Sequence, residues 1–116
     1  MSAQVYGKNT FIQSGHVLGS GDLVDSKGQT QGKVSLTGEL FDKNGRKISQ
    51  ITHNGQILSA HGALTQLHLK ESGEIYINDR FVGTVKIPWG MRLPKLHTAF
   101  GATYLIQISD QKEVAL

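Results

Sequence analysis

The chain has 116 residues, a formal net charge of +3 and no cysteine. A chain of this length is typical of one domain, so we expect residues 1–116 to form a single all-β domain. The lack of cysteine excludes a disulfide framework, a thiolate metal site and a cysteine nucleophile. Fourteen glycines and two prolines disfavour long helices and favour short strands joined by tight turns.

The N-terminal segment carries weak strand signals and no targeting signal. Residues 1–15 lack the continuous apolar core of a signal peptide, and no apolar run reaches the roughly 20 residues that a membrane-spanning helix needs. We therefore expect a cytoplasmic protein with no membrane partner. Short apolar stretches at residues 11–12 and 16–18 predict weak strands before the main pattern begins.

A repeat of 17 residues occupies the middle of the chain. Its units open at Gly21, Gly38 and Gly55, and a fourth opens at Gly73 after one inserted residue. The four units cover residues 21–37, 38–54, 55–72 and 73–87. A second set of glycines, at positions 28, 45 and 62, has the same spacing and closes a turn inside each of the first three units. Such a period is the signature of a repeated supersecondary unit.

The unit GELFDKNGRKISQI, residues 38–51, shows what each repeat is made of. The step from Asp42 to Gly45 is typical of a tight turn, and a small polar residue before each opening glycine marks another turn. Runs of about five residues between the turns have the length and branched content of strands. Ile48 and Ile51 are three residues apart, so we expect a bulge at the small residue Ser49 to turn both towards the core.

Two strands in each unit predict an antiparallel meander of about eight to ten short strands. The meander has to cover its apolar face and its edges, so we expect a closed or partly closed barrel. A β-solenoid, with one coil for each repeat, and a sandwich are the alternatives.

Residues 88–116 do not follow the repeat. Pro88 and Pro94 exclude a central strand between them. The branched and aromatic run from Thr103 to Ile108 predicts a final strand that pairs with the N-terminal segment and closes the sheet. We expect residues 110–116 to be frayed.

No arrangement of residues in the sequence supports catalysis or cofactor binding. Asp25 and Asp42 stand at the start of turns, where capping explains them, and the Asp42 turn is too short for a calcium loop. Gly19 and Gly21 lack the third glycine and the helix of a dinucleotide site. We therefore predict no enzyme activity and no cofactor.

Histidines offer a weak alternative. His53 lies beside one turn of the third repeat and His61 in the opposite turn, while His68 lies on the strand that returns towards His53. A His53–His68 pair is compatible with the meander, but no third ligand is evident, so we predict no metal site.

The strongest functional signal is a segment that is basic and aromatic. No acid occurs from Arg80 to Ser109. Aromatic side chains next to cations are what phosphate contacts and base stacking need, although the same aromatics can simply cover the core. The residues that we single out as a partner or nucleic-acid surface are Arg80, Lys86, Trp89, Arg92 and Lys95.

These observations predict a non-enzymatic binding or assembly module that acts through a protein–protein surface. We expect it to self-associate by pairing of edge strands, or to dock on a protein partner through the loop around Trp89. The alternative is a small basic β-barrel that binds nucleic acid.

Overall fold

The structure is a computed structural model that describes residues 1–59 and 64–114, the side chains of Leu64 and of residues 111–114 excepted. These residues form ten strands and one helix. The strands are β1 (Ser2–Tyr6), β2 (Gln13–Leu18), β3 (Asp22–Asp25), β4 (Thr30–Val34), β5 (Glu39–Asp42), β6 (Lys47–Ile51), β7 (Gln56–Ser59), β8 (Leu64–Leu69), β9 (Glu74–Ile77) and β10 (Arg80–Lys86), and the helix is α1 (Lys95–Val114).

The strands form one closed antiparallel barrel. Each strand pairs with the next along the chain, and β1 pairs with β10 to close the circle. The four repeats supply two strands each, β3 to β10, and the N-terminal segment supplies β1 and β2. The predicted meander and its closure into a barrel are therefore confirmed.

The opening glycine of each repeat makes the same backbone hydrogen bond in all four units. Its carbonyl oxygen accepts a hydrogen bond from the N–H of an apolar residue at or near the end of the second strand of the unit. The four bonds run from Val34 to Gly21, from Ile51 to Gly38, from Leu67 to Gly55 and from Val85 to Gly73, at 2.8 to 2.9 Å. Each repeat is thus joined across its own hairpin.

The aspartates are turn caps, as the sequence predicts. Asp42 Oδ1 accepts hydrogen bonds from the backbone N–H groups of Asn44 and Arg46, at 2.9 and 3.0 Å, and the N–H of Gly45 donates to the Asp42 carbonyl oxygen. Asp25 makes the equivalent bonds one repeat earlier. These carboxylates stabilise the turns of the scaffold by accepting backbone hydrogen bonds. The corresponding turn of the third repeat, with His61 and Gly62, lies outside the described residues.

A bulge lies beside the small residue of the hairpin in the second repeat. Leu40 pairs with Ser49 and Phe41 with Lys47, so Ile48 has no partner across the strand. The bulge is therefore at Ile48, one residue before the predicted position at Ser49. It allows Ile51 to be buried while Ile48 packs half-buried against the core.

The prediction of a final strand at residues 103–108 is wrong, because these residues lie within α1. Residues 110–114, predicted to fray, also belong to this helix. A short apolar run with branched side chains does not distinguish a buried strand from a buried helix, and tertiary burial overrides local propensity. The weak strand predicted at residues 11–12 is absent as well, since this stretch lies in the turn between β1 and β2. The other, at residues 16–18, is part of β2.

The helix lies inside the barrel. All residues from Thr98 to Ile106 except Tyr104 are buried, so this part of the helix has no solvent-facing side. It contacts β1, β2, β3, β4, β6, β8 and β10, which are distributed around the closed sheet. A barrel of about eight strands is filled by its own side chains, and a wider one needs further atoms to fill its lumen.

Small residues allow the helix to approach the strands closely. Ala99, Gly101 and Ala102 are buried, and a Cβ at Gly101 would lie 2.6 Å from Leu23 Cδ2 and 3.3 Å from Val34 Cγ1. The buried Thr103 hydroxyl donates to the Ala99 carbonyl oxygen at 2.9 Å, so its polar group is satisfied inside the lumen. On the side of the helix that carries Gly101 the interface is therefore close-packed and leaves little room for a larger side chain, whereas Thr103 and Tyr104 line a cavity of about 300 Å³ with residues of β5 to β9.

Enlarging Gly101 should destabilise the protein. We expect Gly101→Leu to lower the free energy of unfolding by about 1 to 3 kcal/mol, because the new side chain overlaps Leu23 and Val34, despite the higher helix propensity of leucine. Urea unfolding measures the change. Gln107→Leu, at an exposed position of the same helix, is the matched control and should alter stability by less than about 0.5 kcal/mol. Equal effects would contradict the tight fit of the helix.

Two of the glycines in the first repeat, Gly21 and Gly28, should differ in their tolerance of alanine. Both have a positive φ, +94° at Gly21 and +84° at Gly28. A Cβ at Gly21 would overlap the Val34 carbonyl oxygen, whereas a Cβ at Gly28 would meet no atom within 4 Å. We expect Gly28→Ala to cost about 1 kcal/mol in free energy of unfolding, and Gly21→Ala to cost more by about 1 kcal/mol or more. Similar urea midpoints for the two variants would contradict this.

Candidate binding surface at one end of the barrel

The meander gives the barrel two ends with different connections. One end carries the turns before β3, β5, β7 and β9 and residues 87–94, which lead from β10 into the helix. We call it the Trp89 end. The opposite end, which we call the Phe11 end, carries the β1–β2 connection and the Asp-x-x-Gly turns. The helix enters the lumen from the Trp89 end.

Four of the five predicted surface residues lie at the Trp89 end. Lys86 ends β10, Trp89 and Arg92 lie in the connection, and Lys95 begins the helix; all four are exposed. Arg80 begins β10 and lies at the Phe11 end, six residues from Lys86 along one strand. At about 3.3 Å per residue this separates the two by roughly 20 Å, so the structure does not bring Arg80 to the others.

Trp89 differs from the other aromatic residues of the basic segment. Phe100 is buried in the lumen, Tyr104 is half-buried, and the Phe81 ring packs 5.7 Å from the Tyr76 ring, centroid to centroid. These rings pack against other residues of the barrel, in agreement with the alternative interpretation that the aromatics of this segment cover the core. Trp89 is 96% exposed, so no packing within the described residues accounts for it.

Leu36 and Met1 enlarge the apolar surface of this end, and sequence reasoning missed both. They are 65% and 74% exposed. Leu36 lies just before the small polar residue of its turn, where the other repeats have Gly19, His53 and Glu71. A leucine at a position that is otherwise glycine or polar was a signal in the repeat alignment.

His97 connects the Leu36 turn to the start of the helix. Its ring is half-buried next to Gly38, and the ring Nδ1 is buried without a hydrogen-bond partner among the described residues. Burial lowers the pKa of His97 below its ordinary value, and a hydrogen bond with the Leu36 backbone partly offsets this effect. The imidazole is therefore held neutral within the first turn of the helix.

The His53–His68 pair that the meander allows gains no third ligand among the described residues. His53 lies in the exposed turn between β6 and β7, and His68 lies at an exposed position of β8. Among the described residues, no three His, Asp or Glu side chains are grouped so that they could hold a metal ion. His61 is outside the part of the chain that the structure describes.

Stability should fall as His97 becomes protonated. The folded-state pKa is below the ordinary value of 6.5, so on acidification the unfolded chain takes up its proton first. We expect the urea midpoint to decrease as the pH falls through the ordinary histidine pKa of 6.5, with the loss complete below the folded-state pKa. His97→Gln should flatten this dependence, whereas His53→Gln, in an exposed turn, should retain it. An unchanged slope in His97→Gln would contradict the assignment.

Comparison with known proteins gives no information about this surface. No protein-family model, no curated protein and no solved structure matches the chain. In residues 1–59 and 64–114, no helix combines the length and the apolar character needed to cross a bilayer. The Trp89 end combines exposed apolar side chains with Lys86, Arg92 and Lys95, and it is the candidate site.

Proposed function

We propose that the chain is a non-enzymatic binding module that docks on a protein partner through the Trp89 end. The observation that carries this proposal is the 96% exposure of Trp89. Tryptophan is enriched among the residues that dominate protein–protein binding energies, because its large ring buries much apolar area in one contact.

The connection that carries Trp89 is constrained, which favours binding. Leu93 is buried to 2% exposure and anchors the segment to the core. Pro88 and Pro94 fix their own φ angles on either side. The N–H of Thr98 donates to the Pro94 carbonyl oxygen at 2.9 Å, which ties the end of the segment to the helix. A preorganised segment loses less conformational entropy on binding than a flexible one.

The charge around Trp89 indicates an acidic partner. Lys86, Arg92 and Lys95 are exposed at the same end, and no acid lies between residues 80 and 109. Complementary charge at the rim of an interface accelerates association and excludes partners of the same sign. A partner with an apolar pocket for Trp89 and acidic residues around it fits this surface.

Self-association through this surface is less favoured. Two copies that meet by their Trp89 connections would bring the cations Lys86, Arg92 and Lys95 of both copies together, which opposes binding, although Glu71 at the same end offsets part of this charge. Every described strand is paired on both sides, so the closed barrel offers no free edge for the strand pairing that the sequence analysis considered. Self-association stays a prediction, with light scattering as its test.

Nucleic-acid binding is the second candidate. An exposed tryptophan beside cations supports stacking on bases together with phosphate contacts. The cations at this end are Lys86, Arg92 and Lys95, without Arg80, so the phosphate-contacting surface is smaller than the sequence predicts.

The chain has one tryptophan, so its fluorescence reports on this surface alone. We expect a short Glu- and Leu-rich peptide without tryptophan to bind and shift the Trp89 emission to the blue. Trp89→Ala should weaken peptide binding, followed by calorimetry, by about tenfold or more, the change expected for a dominant contact. Phe11→Ala removes an aromatic ring of equal exposure, 96%, at the opposite end and should leave binding unchanged.

Three outcomes would overturn the proposal in different ways. Absence of peptide binding, or equal weakening by Trp89→Ala and Phe11→Ala, would remove the Trp89 end as a protein-docking surface. Strongly salt-dependent binding of mixed-sequence DNA or RNA, with no peptide binding, would replace it with the nucleic-acid candidate. Light scattering that grows with concentration in the wild type and not in Trp89→Ala would identify a second copy as the occupant.

A further inference from the structure

A cleft of about 550 Å³ opens beside the Trp89 connection, and the docking proposal uses two of its lining residues, Lys86 and Lys95, but not the cleft itself. It lies between the β8–β9 turn, the end of β10 and the first residue of the helix. Part of its lining is apolar and comes from Leu69, Ile87 and Pro88. Its volume is in the range of sites that hold small molecules, roughly 300 to 1,000 Å³.

Three lysines from separate parts of the chain converge on this cleft. Lys70 comes from the β8–β9 turn, Lys86 from the end of β10 and Lys95 from the start of α1. Glu71 is the one acid among its described lining residues. Such convergence on a concave surface raises the local positive potential, because the low-dielectric walls focus the field.

Aromatic rings hold two of these ammonium groups. Lys70 Nζ lies 4.7 Å from the centroid of the Tyr76 ring, and Lys86 Nζ lies 5.2 Å from the centroid of the Tyr6 ring. These cation–π contacts restrict the side chains without neutralising their charge. Lys70 also lowers the pKa of Glu74, after the larger effects of hydrogen bonds from Tyr76 and Ser72, so part of its field is directed to that carboxylate.

Glu74 takes up part of the Lys70 field, but no carboxylate pairs directly with any of the three lysines in the described part of the chain. Among the described residues, no Asp or Glu oxygen forms an ion pair with Lys70, Lys86 or Lys95, and the ion pair that is present joins Lys47 to Glu39 elsewhere. The helix that starts at Lys95 has no acid in its first turn, so the positive end of its dipole adds to the same potential. An anion entering the cleft would meet lysines without carboxylate partners, but the ammonium groups of Lys70 and Lys86 would have to leave the Tyr76 and Tyr6 rings, which do not line the cleft, to reach it.

We propose that this cleft binds a small organic anion. A carboxylate or phosphate group would lie among the ammonium groups of Lys70, Lys86 and Lys95, and an aliphatic part would lie against Leu69, Ile87 and Pro88. The ligand class follows from the two kinds of lining, since neither a bare anion nor a neutral hydrocarbon would use both. The site shares Lys86 and Lys95 with the docking surface but does not include Trp89, so the Trp89→Ala and lysine variants distinguish the two proposals.

The test compares four probes on the full-length chain by calorimetry. Hexanoate and hexyl phosphate carry both an anionic group and an aliphatic part, and they distinguish the two headgroups. Hexan-1-ol lacks the charge, and inorganic phosphate lacks the aliphatic part. We expect one or both of the first two to bind at least about tenfold more tightly than either of the last two, because charge-assisted contacts and apolar burial add.

Lysine variants locate the binding. Lys86→Met and Lys95→Met keep the length of the side chain and remove its charge, and each should weaken binding of the preferred probe by about fivefold to tenfold. Lys43→Met makes the same change in net charge at the Phe11 end, where Lys43 is exposed, and should leave binding unchanged. Circular dichroism confirms that each variant is folded.

The proposal fails under any of three results. The first is that neither hexanoate nor hexyl phosphate binds at millimolar concentration. The second is that hexan-1-ol binds as tightly as they do, and the third is that Lys43→Met weakens binding as much as Lys86→Met. These results are independent of the Trp89 docking experiment, because Trp89→Ala leaves all three lysines in place.

Discussion

Filling the lumen is the constraint on which the rest of this structure depends. Closing the meander creates an interior that strand side chains alone do not occupy, and α1 fills it through close contacts such as that of Gly101 with Leu23 and Val34. The chain must therefore leave the barrel wall after β10 and turn into the lumen. Residues 87–94 make this turn, and Trp89 is exposed on it. The candidate surface is therefore formed by the segment that leads the chain from the barrel wall into the lumen.

Closure also decides where binding can occur. All described strands have neighbours on both sides, so strand addition at an edge, a frequent route to partners for open sheets, is not offered here. The two ends remain, and their construction differs. At the Phe11 end the Asp25 and Asp42 carboxylates accept backbone hydrogen bonds within tight turns. At the Trp89 end the connection to the helix departs from the repeat and exposes Trp89 and Arg92.

The sequence predicts what local chemistry determines. Turns such as the one from Asp42 to Gly45 are made by neighbouring residues, so the hairpins and their meander follow from the repeat. The helix does not, because the branched run at residues 103–108 favours a strand until the closed barrel provides an apolar lumen for it. The same distinction applies to the site. Lys86, Trp89, Arg92 and Lys95 are close in the chain, so they lie at the same end of the barrel. Arg80 lies at the opposite end because the length of β10 separates it from Lys86, and Leu36 joins the surface only because the β4–β5 turn lies at this end.

The direction of the helix adds an electrostatic argument. Its N-terminus, the positive end of the dipole, opens at the Trp89 end, where acidic residues in the first turn would stabilise a helix. The chain places Lys95 there instead and has no acid between residues 80 and 109. Burial keeps His97 neutral, so the one further base in that turn does not add its charge at neutral pH. A purely structural helix start gains nothing from this arrangement. A surface that attracts anionic groups gains positive potential from it. The arrangement therefore favours both the acidic protein partner and the organic anion as ligands of this end.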